Sequence, residues 1–136
     1  MTDKVTGRCR CGAVRYACAE DYSHAVHRHC SACRRSSGAA FMTWVCLPRA
    51  AFKLAGAVVQ RQSSAGVTRS FCASCGAQIL MDYSGSDTVD VSIGTLDAPE
   101  GITVRDNIFV EERLPLAKGF DSDLPQHKRF RTDSRS

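Results

Sequence analysis

No apolar run in this 136-residue chain approaches the length of a membrane-spanning helix. Its first residues, Met1-Thr2-Asp3-Lys4-Val5-Thr6, lack the apolar stretch of a secretory signal. Together these absences predict a cytoplasmic protein with no membrane partner. No long segment carries a sustained 3.6-residue apolar period, so helix is expected to be scarce. Nothing repeats beyond the cysteine pairs, and no linker divides the chain. One domain is therefore expected over 1–125, followed by a polar, basic, fraying tail over 126–136. Positive charge is also scarce once it is divided up. The net charge is +4, and Lys128, Arg129, Arg131 and Arg135 against Asp133 supply +3 of it within that tail. The remaining +1 argues against a nucleic-acid-binding surface. Acid is scarce in one half only. Residues 1–72 hold eleven Lys/Arg against three Asp/Glu, and residues 73–125 hold three against ten. Two complementary halves folded on each other account for this, and a basic pocket for an anionic substrate is the sharper alternative.

Cysteine, by contrast, is plentiful, with eight in the chain. Cys9 and Cys11 form a C-x-C pair, and Cys30 and Cys33 a C-x-x-C. Cys72 and Cys75 form a second C-x-x-C. In a reducing compartment such pairs point to metal binding or catalysis before disulfides. Cys9-Arg10-Cys11-Gly12 and Cys72-Ala73-Ser74-Cys75-Gly76 are both turns ended by glycine, the form in which paired thiolates grip one side of a tetrahedral zinc ion. Joined, they give a closed four-thiolate site of structural role, with Arg8, Arg10 and Arg69 near in sequence to offset its net −2 charge. The single cysteines, Cys18 and Cys46, lie in strand-like segments and read as core. Trp44 and Phe41 also read as core, and Asp97 as a turn former.

Short alternating segments bounded by turn residues predict strands at 13–18, 25–29, 41–47, 58–62, 79–83, 88–93 and 107–111. Short helical turns are expected at 31–35, capped by Ser31, and at 48–52, with Pro48 at the first helical position. The fold class is mostly β, antiparallel and held by metal.

His27-Arg28-His29-Cys30-Ser31-Ala32-Cys33-Arg34-Arg35 is the densest group of reactive residues in the chain. Cationic neighbours favour the thiolate, which suits a nucleophile, a metal ligand or a site for an anionic thiol. Here the chain resembles a known family. Gly7-x-Cys9-x-Cys11-Gly12-Ala13-Val14-x-Tyr16, His29-Cys30-x-x-Cys33-Arg34-x-x-x-Gly38 and Arg69-x-Phe71-Cys72-x-x-Cys75-Gly76 are similar to the motifs of the glutathione-dependent formaldehyde-activating family. Val91-Ser92-Ile93-Gly94-Thr95-Leu96-Asp97 and Asp123-Leu124-Pro125 resemble its later segments.

The resemblance implies a β-tent fold and a structural zinc on Cys9, Cys11, Cys72 and Cys75. It also implies carbon–sulfur lyase activity on adducts of glutathione with an aldehyde such as formaldehyde. A catalytic zinc in that family is held by C-x-C-x-x-C. Cys30 and Cys33 match the last two ligands, whereas the first position is Arg28, which cannot bind zinc. His27 and His29 fall on the opposite face of an extended segment, so neither substitutes without a break in the strand; His29, beside the turn, is the better placed. Arg28 is then expected to supply the metal's charge, with Arg34 and Arg35 attracting substrate carboxylates. Two rival readings stand beside the enzyme. One is a zinc-stabilised binding module without turnover. The other is a dithiol–disulfide pair at Cys30 and Cys33, although the βαβ context of a thioredoxin-like site is absent.

Overall fold

The computed structural model describes residues 2–119 and 123–131, and among them it has ten strands and one α-helix. Strands β1 (Val5–Arg8), β2 (Arg15–Cys18) and β5 (Phe52–Ala55) make a small antiparallel sheet in the order β1-β2-β5. The larger sheet contains β3 (His24–Arg28), β4 (Met42–Pro48), β6 (Val58–Ser64), β7 (Val67–Cys72), β8 (Gln78–Tyr83), β9 (Thr88–Ser92) and β10 (Asp106–Ile108). Its order is β10-β3-β4-β9-β8-β7-β6, antiparallel throughout except that β10 runs parallel to β3.

Side chains alternate across each strand, and that period of two builds two cores from the larger sheet. Val45, Leu47, Ile79, Val89 and Val91 face the small sheet, where they meet Val14, Tyr16 and Cys18. Val26, Trp44, Val67 and Met81 face the other way, together with Cys30 and Cys33. Trp44, Val45, Cys46 and Leu47 are all buried, as expected of a strand apolar on both faces. Cys18 and Cys46 are buried, and burial followed by the Asp90 carboxylate pushes the Cys46 thiol well above its ordinary range.

Several boundaries depart from the sequence reading for local reasons. β1, β5 and β7 were not anticipated. β1 contains Gly7, and a Cβ there would run into the Tyr16 ring and the Thr95 carbonyl. Tyr16 is buried, its hydroxyl bonds Thr95 Oγ1 at 2.8 Å, and burial pushes the phenol up to about 12. β7 buries Arg69 and Ser70 side by side, so its pattern never alternates cleanly. Helix α1 spans Ser31–Ser37, with Cys30 rather than Ser31 at its N-cap. The Ser31 N–H donates to the Glu112 carboxylate at 2.8 Å, and that contact takes the place of a serine cap. Gly38, at φ 78°, ends the helix with its N–H on the Arg34 carbonyl. The 48–52 segment is a single 3-10 turn, Arg49–Ala51, which follows Pro48 rather than starting at it.

The segment expected as a strand over 107–111 stops at Ile108, because Phe109 is left-handed at φ 58°. Asp97 is a turn residue: it accepts from Thr6 Oγ1 at 2.7 Å, and its own N–H donates to the Thr6 carbonyl. Residues 126–131 carry no helix or strand, and the rest of the expected tail, 132–136, lies outside the described residues, as does Met1. Among the described residues no helix is long and apolar enough to cross a membrane.

Candidate metal centre and thiol site

The loop after β1 and the turn after β7 deliver Cys9, Cys11, Cys72 and Cys75 to one point, their sulfur atoms all within 4.8 Å of one another. Both turns depend on a left-handed glycine. Gly12 (φ 82°) donates to the Cys9 carbonyl, and Gly76 (φ 80°) to the Cys72 carbonyl. Cys9 and Cys11 sulfurs are 3.6 Å apart, and Cys11 and Cys72 sulfurs 3.8 Å. Four thiolates bound tetrahedrally at about 2.3 Å from zinc would sit about 3.8 Å apart.

Backbone N–H groups already face the sulfurs, from Val14 to Cys9 and from Ser74 and Cys75 to Cys72, at 3.3–3.4 Å. Burial acts to raise the Cys9 thiol, yet the Val14 N–H and the neighbouring thiols bring it down to about 6. The Ala13 N–H acts to lower Cys11, but its thiol neighbours and burial carry it up to about 11. Four thiols this close cannot all ionise without a cation between them. The donor set fits a metal ion, and Arg8 and Arg10 line a cavity of about 600 Å³ beside Cys9, with Gly94, Thr95 and Asp97.

Arg69 is not there. It lies three residues before Cys72 on β7, hence on the opposite face, and its Nη2 donates to Cys33 Sγ at 3.4 Å. Cys33 is fully buried in the first turn of α1, and Cys30 keeps 6% exposure. On the other side of the pair, Arg28 Nε donates to Cys30 Sγ at 3.4 Å. The Arg28 guanidinium sits over the Phe109 ring at 4.6 Å and the Tyr83 ring at 5.4 Å, and Arg69 over Trp44 at 5.9 Å. Burial acts to raise the Cys30 thiol, but the Arg28 bond and the adjacent Cys33 outweigh it, so Cys30 lies below its ordinary value. Burial dominates at Cys33 and holds it above. Arg69 is only 7% exposed, and its Nη1 has no hydrogen-bond partner.

The histidines turn away, as the strand alternation requires. His27 Nδ1 bonds Thr43 Oγ1 at 2.7 Å, His29 Nε2 bonds Asn107 Oδ1 at 2.9 Å, and both rings pack on Phe41. A second zinc therefore does not fit. Cys30 and Cys33 have no third thiol, and the guanidinium of Arg28 occupies that side of Cys30. The tetrathiol set is the sole metal-type cluster among the described residues. Arg34 is half-buried on α1, with its Nε unpartnered, and Arg35 is exposed. Arg69 was expected beside the four-thiol site and lies instead at Cys33, and Tyr83, Phe109 and Glu112 were not read as site residues.

Fold and sites together define a small β-protein with a four-thiol cluster able to hold a metal ion, and a separate arginine-flanked thiol pair on the other face of its larger sheet. Residues 4–112 match the family model of the glutathione-dependent formaldehyde-activating enzyme. The chain belongs to that family. A Rhodobacter sphaeroides protein of known crystal structure shares the fold, with a TM-score of 0.59 and 22% identity, over 75% of this chain and 98% of that one. No protein of curated function matches.

Proposed function

We propose that this chain is a carbon–sulfur lyase for adducts of glutathione, or a related small thiol, with an aldehyde such as formaldehyde. One observation carries the reading beyond family membership: a thiol, Cys30, hydrogen-bonded by Arg28 and backed by the buried Arg69 at Cys33. The four-thiol centre would hold a zinc ion, which staples the fold and has no open coordination position for chemistry.

The work at Cys30 falls to this chain's own groups. Its thiolate takes the proton from the hydroxyl of a hydroxymethyl thioether adduct. The carbonyl forms, the carbon–sulfur bond breaks, and the departing thiolate is stabilised by Arg28. Cys30 then returns the proton to that thiolate, so no net proton is consumed. Adduct formation follows the same steps in reverse. Arg34 and Arg35, on the adjoining helix, would meet the carboxylates of the tripeptide.

Exchange NMR on mixtures of glutathione and formaldehyde measures interconversion directly, with and without protein. Cys30→Ser is expected to abolish the acceleration while keeping bound metal and fold; an unchanged rate in that variant refutes the assignment. A second reading, a non-catalytic metal-stapled module, is favoured by the covering of Arg28 by Phe109. It predicts no acceleration by the unaltered protein.

A further inference from the structure

The thiol pair carries more than adduct chemistry. Cys30 sits at the N-cap of α1 and Cys33 in its first turn. Residues three apart at a helix start have their Cα atoms about 5–6 Å apart, inside the Cα span across which a disulfide closes. The two positions are unequal. Cys30 keeps a residual 6% exposure and has an arginine on its sulfur, whereas Cys33 has no exposure. An attacking thiol has to be reachable and ionised, and a resolving thiol has to be close and shielded from outside reagents.

The surroundings also suit anions on sulfur. Arg28 bonds one sulfur of the pair and Arg69 the other, and the buried Arg69 has a nitrogen with no partner among the described residues. The ion pairs found elsewhere, Arg49–Asp82 and Arg105–Asp106, involve neither of these arginines. Among the described residues no third metal-type ligand joins the two thiols, unlike at the four-thiol centre.

We propose that Cys30 and Cys33 are a dithiol–disulfide exchange centre for low-molecular-weight disulfides of anionic thiols, glutathione disulfide being the probe of that class. The Cys30 thiolate attacks one sulfur of the disulfide. A Cys30–glutathionyl bond forms, the S–S bond of the reagent breaks, and one glutathione leaves as thiolate. Cys33 then loses its proton and attacks Cys30 Sγ, forming the Cys30–Cys33 disulfide and releasing the second glutathione. The protein loses two electrons, the reagent gains them, and the two protons of the protein thiols end on two glutathione molecules. Arg28 and Arg69 receive the thiolates as they form.

The proposal rests on Cys30 as a nucleophile and not on lyase turnover, so a mass readout separates the two. The full-length, metal-loaded protein is incubated with glutathione disulfide, and intact mass and metal content are followed. The unaltered chain is expected to lose two hydrogens, with no lasting glutathionyl adduct and no loss of metal. Cys33→Ser is expected to accumulate one glutathionyl group on Cys30, and Cys30→Ser to stay unmodified at Cys33. Arg28→Leu is expected to slow the first step at neutral pH, by about three- to fourfold for each unit by which the thiol pKa climbs above the working pH, because the smaller thiolate fraction is partly offset by a more nucleophilic thiolate. Three results overturn the proposal: an unaltered chain that stays reduced under excess disulfide, a Cys33→Ser chain that takes up no adduct, or oxidation confined to the four-thiol centre with release of metal. Loss of adduct turnover with exchange intact refutes the lyase alone.

Discussion

Replacing Arg28 with cysteine tests why the described residues gather one metal-type thiol cluster and not two. Arg28 lies on the same face of the sheet as Cys30, and its side chain already reaches that sulfur. In Arg28→Cys the third thiol of C-x-C-x-x-C is restored on that face. Without added metal the variant should be less stable. It loses a charge-assisted bond worth about 1.5–3 kcal/mol. It also loses two cation–ring contacts worth roughly 0.5–1 kcal/mol each at a half-exposed site. A net loss of about 3 kcal/mol, for a domain of this size, lowers the melting temperature by roughly 10 °C. With zinc at 100 times its dissociation constant the variant should regain about 2.7 kcal/mol. Metal analysis should then find two equivalents per chain where the unaltered protein holds one. A folded Arg28→Cys chain that takes up no second equivalent refutes the reasoning. So does an unaltered chain that already binds two.

Three further outcomes follow from the geometry. Chelation of the metal proposed for the four thiols should release a clamp over a sequence separation of 61, from Cys11 to Cys72, a closure worth about 4 kcal/mol by chain entropy, so calorimetry should show a large fall in melting temperature on chelation. Gly7→Ala forces a methyl into Tyr16 and should cost about 1–3 kcal/mol in denaturant unfolding, with Tyr16→Phe giving no relief because the ring remains. Alkylation of Cys30 should persist below pH 9.0 and fall only as pH drops through its lowered pKa. Because that pKa is lowered by folding, the Cys30 contribution to stability is fully present above the unfolded value and is lost as pH falls through the folded one, whereas Cys33, raised, contributes in the opposite sense. Arg28→Leu should move the alkylation profile upward.

The four-thiol centre was legible because each half is local: two cysteines, a short spacer and a glycine whose left-handed backbone closes the turn. The face of Arg28 was legible for a similar reason, since strand alternation alone separates it from His27 and His29. Arg69 was not. It adjoins the metal cysteines in sequence, and only the register of β7 sends it through the sheet to Cys33. Phe109 left no signal, because a left-handed phenylalanine is exceptional and nothing in Asn107-Ile108-Phe109-Val110 announces it. Glu112 replaces the expected serine cap from 81 residues away, which no local pattern encodes.

The parallel pairing of β10 with β3 also bears on the order in which the molecule assembles. The β6–β7–β8 meander closes over short loops and can form early. The four-thiol cluster joins segments 61 residues apart, and the segment bearing Phe109 and Glu112 returns over 81. During synthesis, then, Cys30 and Cys33 emerge long before the residues that cover Arg28 and cap α1. The nascent chain carries Cys30 and Cys33 without those covering residues until they have been made, and a chain cut just before Asp106 would keep all four cysteines of the cluster while lacking them.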